Sequence, residues 1–171
     1  KIEKIEIATT GNAADFADGI AGTTENGRGT SNNIKGIYNR GGVVNEVHQL
    51  NINAGGTATD FGDLTVARTA SHAASDGHGG LELGILQRPS VTYMPGSGRA
   101  IFAGGDPGND DTIQIVHIPT LGNASDFGNL TVGRFETDAV GNGTRAVWGG
   151  GKHSSIVDTI DYVEMQSQGN A

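Results

Sequence analysis

Residues 57–68 read TATDFGDLTVAR, and nearly the same phrase returns as NASDFGNLTVGR at 123–134. A shorter copy, NAADF, stands at 12–16, and the sequence similarity to the other two copies ends after its phenylalanine. The aromatic anchors of the three copies are Phe16, Phe61 and Phe127. The first two anchors lie 45 residues apart and the last two lie 66 residues apart. A phrase that recurs at such intervals indicates repeated supersecondary units.

Alternating apolar and polar residues precede each copy, as in IEKIEI (2–7) and TIQIVHI (112–118). A period of two is typical of a β-strand with one buried face. Other segments are rich in small residues. Each ends in a short apolar strand that begins with arginine and is followed by two glycines, as in RAIFAGG (99–105) and RAVWGGG (145–151). The best helix candidate, 66–75, suits a tightly packed strand equally well. We therefore predict an all-β fold.

Several short strands in each period of about 45 residues are typical of one blade of a β-propeller. The sequence predicts a propeller or a propeller fragment, with about four blades' worth of antiparallel strands. Glycine-ended hairpins are expected near 21–42, 69–86, 91–105 and 135–151, and alternating strands near 2–16, 46–64, 112–130 and 158–171. Two hairpins follow each other without an alternating strand between them. Their junction at 86–91 is either the seam of a single propeller ring or a linker between two halves of the chain. One domain over 1–171 is the favoured interpretation.

The composition favours many thin apolar layers over one bulky core. Of 171 residues, 29 are glycine, and only 5% are aromatic. Repeat proteins bury such small layers between neighbouring units. The net charge of -8 argues against binding to nucleic-acid phosphates and makes bound cations plausible. The absence of cysteine excludes disulfides and thiolate chemistry.

The two ends of the sequence suggest an incomplete repeat. The chain begins at Lys1 and not at methionine, and it stops at GNA (169–171), where another Asp-Phe anchor would follow. We expect an excerpt, a processed product or closure by another segment. No apolar run reaches the roughly 20 residues that a membrane helix needs, so no membrane insertion is expected.

The order of these elements resembles the kelch repeat. The matching elements are an apolar strand that closes on Gly-Gly, an alternating strand, an aromatic anchor and a T-x-x-R step into a small-residue strand. Arg68 and Arg134 stand where kelch repeats carry the arginine that precedes a strand. The chain departs from that pattern at its anchors, where phenylalanine stands in place of the usual tryptophan.

Three phrases carry a more specific resemblance. They are ATTGNAADF (8–16), SDGHGGL (75–81) and TYMPGSGRAIFAGG (92–105). These phrases are similar to hallmarks of a kelch-like repeat in structural proteins of marine bacteriophages, and the likeness covers nearly the whole chain. The resemblance implies a virion component, such as a tail fibre, another exposed appendage or a capsid decoration. It brings no catalytic residues with it.

Two kinds of motif resemble phosphate sites but have a simpler interpretation. The DFG triplets at 60–62 and 126–128 lack the other parts of a kinase, namely a Gly-rich loop, a strand lysine and an H-R-D segment. The loops NGR (26–28), GSGR (96–99) and GNGTR (141–145), which end in Arg28, Arg99 and Arg145, lack the Lys-Ser/Thr of a phosphate-binding loop. We interpret the triplets as repeated turns and the arginines as structural partners of carboxylates or carbonyls.

The acidic loop GDPGNDD (105–111) is the best metal candidate. It gathers Asp106, Asp110 and Asp111, and hard oxygen ligands at this density could hold calcium. The loop lacks the EF-hand spacing and a closing glutamate, so a solvated turn is favoured and no cofactor is expected. The five histidines are scattered, and exposed or turn positions are favoured over a metal or pH-sensing role. They are His48, His72, His78, His117 and His153.

These observations favour a non-enzymatic structural or adhesive part of a virion, exposed on the particle surface. Its expected partners are other virion subunits or copies of itself. The alternative is host recognition, in which Tyr38, Tyr93 and Trp148 stack on a surface glycan. A polysaccharide-acting enzyme would rest only on the versatility of the fold.

Overall fold

The computed structural model describes residues 1–6, 8, 10–20, 27–32, 34–77 and 98–171. These residues form fourteen β-strands and no helix, so the prediction of an all-β fold is confirmed. The described ranges accordingly contain no helix that could cross a membrane. The helix candidate at 66–75 consists of the end of one strand and all of the next.

The strands are short, and most of them follow one another in antiparallel pairs. In chain order they are β1 (Ile2–Lys4), β2 (Ala14–Asp18), β3 (Gly29–Ser31), β4 (Lys35–Asn39), β5 (Val44–Asn51), β6 (Gly56–Thr57), β7 (Thr59–Arg68), β8 (His72–Ser75), β9 (Arg99–Ala103), β10 (Thr112–His117), β11 (Ser125–Asn129), β12 (Asp138–Gly141), β13 (Arg145–Gly149) and β14 (Ile160–Glu164). Hydrogen bonds join them into four small sheets.

Sheet 1 has the strand order β1-β2-β6, and sheet 2 has the order β3-β4-β5-β7. Sheet 3 contains β8, β9, β10 and β11 as consecutive neighbours, and sheet 4 contains β12, β13 and β14. Sheets 2, 3 and 4 are antiparallel throughout. Among the described strands, β6 alone pairs in parallel, with β2 of sheet 1.

The cross-strand registers show that the sheets repeat one pattern. Tyr38 lies opposite His48 in sheet 2, Phe102 lies opposite Gln114 in sheet 3, and Trp148 lies opposite Asp161 in sheet 4. Each pair therefore occupies the same place in its sheet. The Asp-Phe copies also recur in equivalent strands, β2, β7 and β11.

The first strands of sheets 2, 3 and 4 lie side by side, because β8 contacts both β3 and β12. Ser75 of β8 donates its hydroxyl to the carbonyl of Ser31 in β3, at 2.7 Å. A side chain at Gly141 of β12 would collide with the carbonyl of Ser75. Ser31, Ser75 and Gly141 occupy equivalent registers, so small residues there allow the three strands to approach closely.

Two apolar clusters fill the spaces between neighbouring sheets. Phe61 and Leu64 of β7 pack with Phe102 of β9, across the boundary of sheets 2 and 3. Phe127 packs with Trp148 and other residues across the boundary of sheets 3 and 4. Phe16 in β2 is only partly buried. The few large apolar residues are therefore buried in separate layers between neighbouring sheets, as the composition predicts.

The glycine pairs of the repeat have positive φ, a backbone conformation that favours glycine. Gly104 and Gly105 have φ of 69° and 130°, and Gly150 and Gly151 have φ of 64° and 102°. The pairs directly follow β9 and β13, and they turn the chain away from the end of each strand.

The region between Phe61 and Phe127 differs from expectation. The sequence predicts separate hairpins at 69–86 and 91–105, but β8 and β9, one strand from each, pair with each other. Residues 76–98 therefore connect the first two strands of sheet 3, where residues 32–34 and 142–144 suffice in sheets 2 and 4. The longer anchor spacing reflects this insertion. Residues 78–97, including the expected seam at 86–91, lie outside the described residues.

Candidate functional site

A buried arginine crosses each of two inter-sheet boundaries. Arg134 follows β11 of sheet 3, and its Nη1 lies 2.7 Å from Oδ2 of Asp161 in β14 of sheet 4. Thr131 donates its hydroxyl to Oδ1 of the same carboxylate at 2.7 Å. Both members of the ion pair are buried. The pair is therefore shielded from water and fixes sheet 4 against sheet 3.

Arg68 performs the equivalent task between sheets 2 and 3. Its Nη2 lies 2.8 Å from Oδ2 of Asp110, and its Nη1 donates to the carbonyls of Gly104 and Thr112. Burial lowers the pKa of Arg68, and the nearby Asp110 carboxylate acts in the opposite direction. The backbone N–H of Thr65 donates to Oε1 of Gln114, just as Thr131 donates to Asp161. The two boundaries therefore share one construction.

The boundary between sheets 1 and 2 is built differently. The register of the repeat places Ile20 at the position of Thr65, and Thr23 at the position of Arg68. Thr23 itself lies outside the described residues. A cavity of about 450 Å³ opens at this boundary, and we call it the junction cavity. Its lining includes Gly19, Arg28, Tyr38, Arg40, His48 and Leu50.

Polar side chains of sheet 2 form one wall of the junction cavity. Arg40 Nη1 lies 2.7 Å from Oε2 of Glu46, and the same oxygen lies 3.4 Å from Nε2 of His48. The hydrogen bond from Arg40 lowers the pKa of the Glu46 carboxyl, despite an opposing effect of burial. The His48 ring meets the Tyr38 ring edge-on, with centroids 5.4 Å apart.

Tyr38 combines an apolar ring with a partly buried phenol. Burial raises the pKa of Tyr38, so its hydroxyl stays protonated near neutral pH and can donate a hydrogen bond. A Cβ atom added at Gly19 would lie 3.3 Å from this hydroxyl. A side chain at position 19 would therefore crowd the Tyr38 hydroxyl.

The structure places the three aromatic glycan candidates in different settings. Tyr38 lines the junction cavity. Trp148 is completely buried in the apolar cluster between sheets 3 and 4, where its ring cannot stack on an external sugar. The tryptophan of β13 faces inward because it fills the inter-sheet layer that Phe102 fills in the preceding sheet. Tyr93 lies outside the described residues.

The acidic loop does not bring its carboxylates together around one point. Asp110 accepts hydrogen bonds from the backbone and hydroxyl of Thr112 through Oδ1, while Oδ2 faces Arg68. Asp106 pairs with Thr69 through backbone hydrogen bonds. Among the described residues, no group of three histidine or carboxylate side chains is arranged to hold a metal ion. Asp110 is thus an inter-sheet partner of Arg68, which the calcium interpretation did not anticipate.

Two histidines are more buried than the sequence suggests. His48 and His72 lie inside strands β5 and β8 and are buried, whereas His117 and His153 are exposed. His72 Nδ1 lies 3.5 Å from Oδ1 of Asp138. Burial and the cation of Arg28 lower the pKa of His72, and Asp138 opposes them. His78 lies outside the described residues.

Comparison of the sequence with protein-family models and with curated proteins gives no match. The junction cavity therefore has to be interpreted from its own residues. Sequence reasoning singled out Tyr38 as a glycan candidate, interpreted Arg28 as a structural arginine and counted His48 among the scattered histidines. It missed Arg40 and Glu46. One feature of the sequence could have pointed to this boundary. The first repeat copy loses its similarity after Phe16, so it lacks the threonine and arginine found at the other two boundaries.

Proposed function

We propose that the chain is a kelch-like β-propeller module that acts as a non-enzymatic structural component of a phage virion. In this proposal the four sheets are blades, and the module lies on the particle surface as part of a tail fibre, appendage or capsid decoration. The equivalent registers of the sheets and the phrase-level resemblance to phage proteins support it. The module acts through contacts with other virion subunits or with copies of itself.

The observation that carries the proposal is the edge of sheet 4. In sheets 1, 2 and 3, an Asp-Phe strand pairs with the alternating strand, as β7 pairs with β5. Within the described residues, β14 has β13 as its neighbour on one side only. Ile160 and Tyr162 of β14 are 71% and 55% exposed. An edge of this kind accepts a further strand through backbone hydrogen bonds.

A peptide with the sequence of residues 123–134 tests whether the β14 edge accepts an Asp-Phe strand. We expect it to protect the β14 amides from hydrogen exchange, whereas the same peptide with Phe127→Ala should protect them far less. The purified chain should also form a multimer by light scattering at micromolar concentration. A monomer whose β14 amides exchange equally fast with and without peptide would contradict the assembly proposal.

The alternative function is recognition of a host-surface glycan. The location of Tyr38 in the junction cavity favours it, since an aromatic ring beside hydrogen-bonding groups suits a sugar. A glycan array is the direct test, and an array without a binder would count against this function. We propose no polysaccharide-acting activity, because only the versatility of the fold suggests one. We also propose no cofactor, since a calcium ion bound to Asp110 would compete with Arg68.

A further inference from the structure

We infer that the junction cavity binds a sugar that carries a carboxylate, with Arg28 facing the carboxylate and Tyr38 donating a hydrogen bond to the sugar. This inference rests on the alternative function proposed above, host recognition, and names its ligand class and its site. It does not depend on the assembly role of the β14 edge.

The first argument is the contrast between the three boundaries. Arg134 and Arg68 are buried where they cross their boundaries, and each has a carboxylate partner. At the junction cavity the described ion pair, between Arg40 and Glu46, lies within sheet 2. The space of about 450 Å³ falls within the range of small-molecule sites, roughly 300–1,000 Å³. Among the described residues, this boundary therefore contains a space of the size that a small ligand needs.

The second argument concerns which cation is available. Arg40 is held by Glu46, and Lys1 is held near Asp15 and Asp18. Arg28 Nη1 donates to the carbonyl of Gly27, and within the described part of the chain its guanidinium has no carboxylate partner. A guanidinium binds a carboxylate through two parallel hydrogen bonds. Arg28 therefore favours a ligand with a carboxylate.

The third argument concerns the rest of the ligand. Tyr38 offers a protonated phenol and a ring face, and Leu50 adds apolar surface in the same cavity. Arg28 as a cation without a described carboxylate partner, the hydroxyl donor of Tyr38 and the apolar surface together suit a sugar ring with a single charge. A polyanion is disfavoured, because the chain carries a net charge of -8.

Glucuronate is the probe, and glucose is its uncharged counterpart. We expect titration calorimetry or ligand-observed NMR to detect binding of glucuronate, and glucose to bind at least about ten-fold more weakly because it lacks the charged partner of Arg28. Arg28→Ala should weaken glucuronate binding by a similar factor. Arg145→Ala is the matched control, because Arg145 lies on the surface of sheet 4 and pairs with Glu164.

Two further variants separate loss of the site from loss of the fold. Gly19→Leu should fill the cavity beside the Tyr38 hydroxyl and abolish binding, whereas Gly11→Leu, with no atom within 4 Å of the added Cβ, should leave binding unchanged. Tyr38→Phe should weaken binding while the chain stays folded, because Phe102 occupies the equivalent place in sheet 3.

Three results would overturn the inference: no binding of glucuronate at millimolar concentration, equal binding of glucuronate and glucose, or full binding by the folded Gly19→Leu variant. In each case, multimer formation and peptide binding at β14 would still report on the assembly proposal. Failure of those two assays with intact glucuronate binding would remove the assembly proposal and leave the cavity inference standing.

Discussion

Arg134 and Asp161 form an ion pair across the boundary of sheets 3 and 4, with both side chains buried and the charged atoms 2.7 Å apart. Asp161 also accepts two hydrogen bonds from Thr131. The carboxylate is therefore the point at which the end of one repeat unit is joined to the third strand of the next. Loss of either partner leaves the other charge buried and unpaired.

Replacement of this arginine should be strongly destabilising. We expect Arg134→Ala to lower the free energy of unfolding by about 3–5 kcal/mol, because Asp161 then remains buried without its cation. Urea denaturation followed by circular dichroism measures the change. Arg145→Ala is the control, since the Arg145–Glu164 pair lies on the surface, and its removal should change the stability little. Equal effects of the two substitutions would contradict the role assigned to Arg134.

A second set of contacts between sheets involves the backbone. The N–H groups of Gly122 and Ala124 donate to the carbonyls of Phe61 and Asp63 at 3.1 and 2.7 Å. The same arrangement joins Gly169 and Ala171 to β11, and β6 to β2. Each Gly-x-A segment therefore lies along the Asp-Phe strand of the preceding repeat copy.

Close approach at this backbone contact requires a glycine at position 62. A Cβ atom at Gly62 would lie 2.5 Å from the carbonyl oxygen of Gly122, and Gly62 has φ of 148°. We expect Gly62→Ala to destabilise the chain by roughly 1–3 kcal/mol, through strain and separation of the two segments. Thermal unfolding is the measurement. Gly149→Ala, where an added Cβ has no atom within 4 Å, should have a much smaller effect.

Periodicity in the sequence predicts the strands well, because alternation and the Asp-Phe phrase are local features. As expected, Phe61 and Phe127 lie in equivalent strands, and glycine pairs directly follow β9 and β13. The Gly-x-A segments lie far in the sequence from the Asp-Phe strands that they contact, and those contacts depend on how the repeat units are stacked. No local pattern contains that information.

The ion pairs and the junction cavity could not be predicted for a related reason. In sheets 2, 3 and 4, the residue opposite the central aromatic side chain is His48, Gln114 and Asp161 in turn. Because the residue type differs each time, the repeat in the sequence does not reveal this position. Its importance emerges only from the cross-strand register. Burial of Trp148 likewise follows from the inter-sheet layer, whereas its sequence setting is compatible with either face.

The anchors themselves allow a graded test. Phe127 is buried between sheets 3 and 4, whereas Phe16 in sheet 1 is only partly buried. We expect Phe127→Ala to cost about 3–5 kcal/mol, as for a buried aromatic residue, and Phe16→Ala to cost clearly less. Chemical denaturation of both variants gives the comparison. A larger loss for Phe16→Ala would show that the two anchors do not pack as the structure places them.

Protonation of His72 should make the stability depend on pH. Burial and Arg28 hold its folded pKa below the usual value of 6.5, so the unfolded chain binds the proton more readily than the folded one. The contribution of His72 is therefore retained above 6.5 and lost as the pH falls through the folded pKa. We expect the urea midpoint to fall between about pH 7 and pH 5, and His72→Gln to reduce that slope. His153→Gln, at an exposed position, should leave the slope unchanged; a slope unaffected by His72→Gln would contradict this assignment.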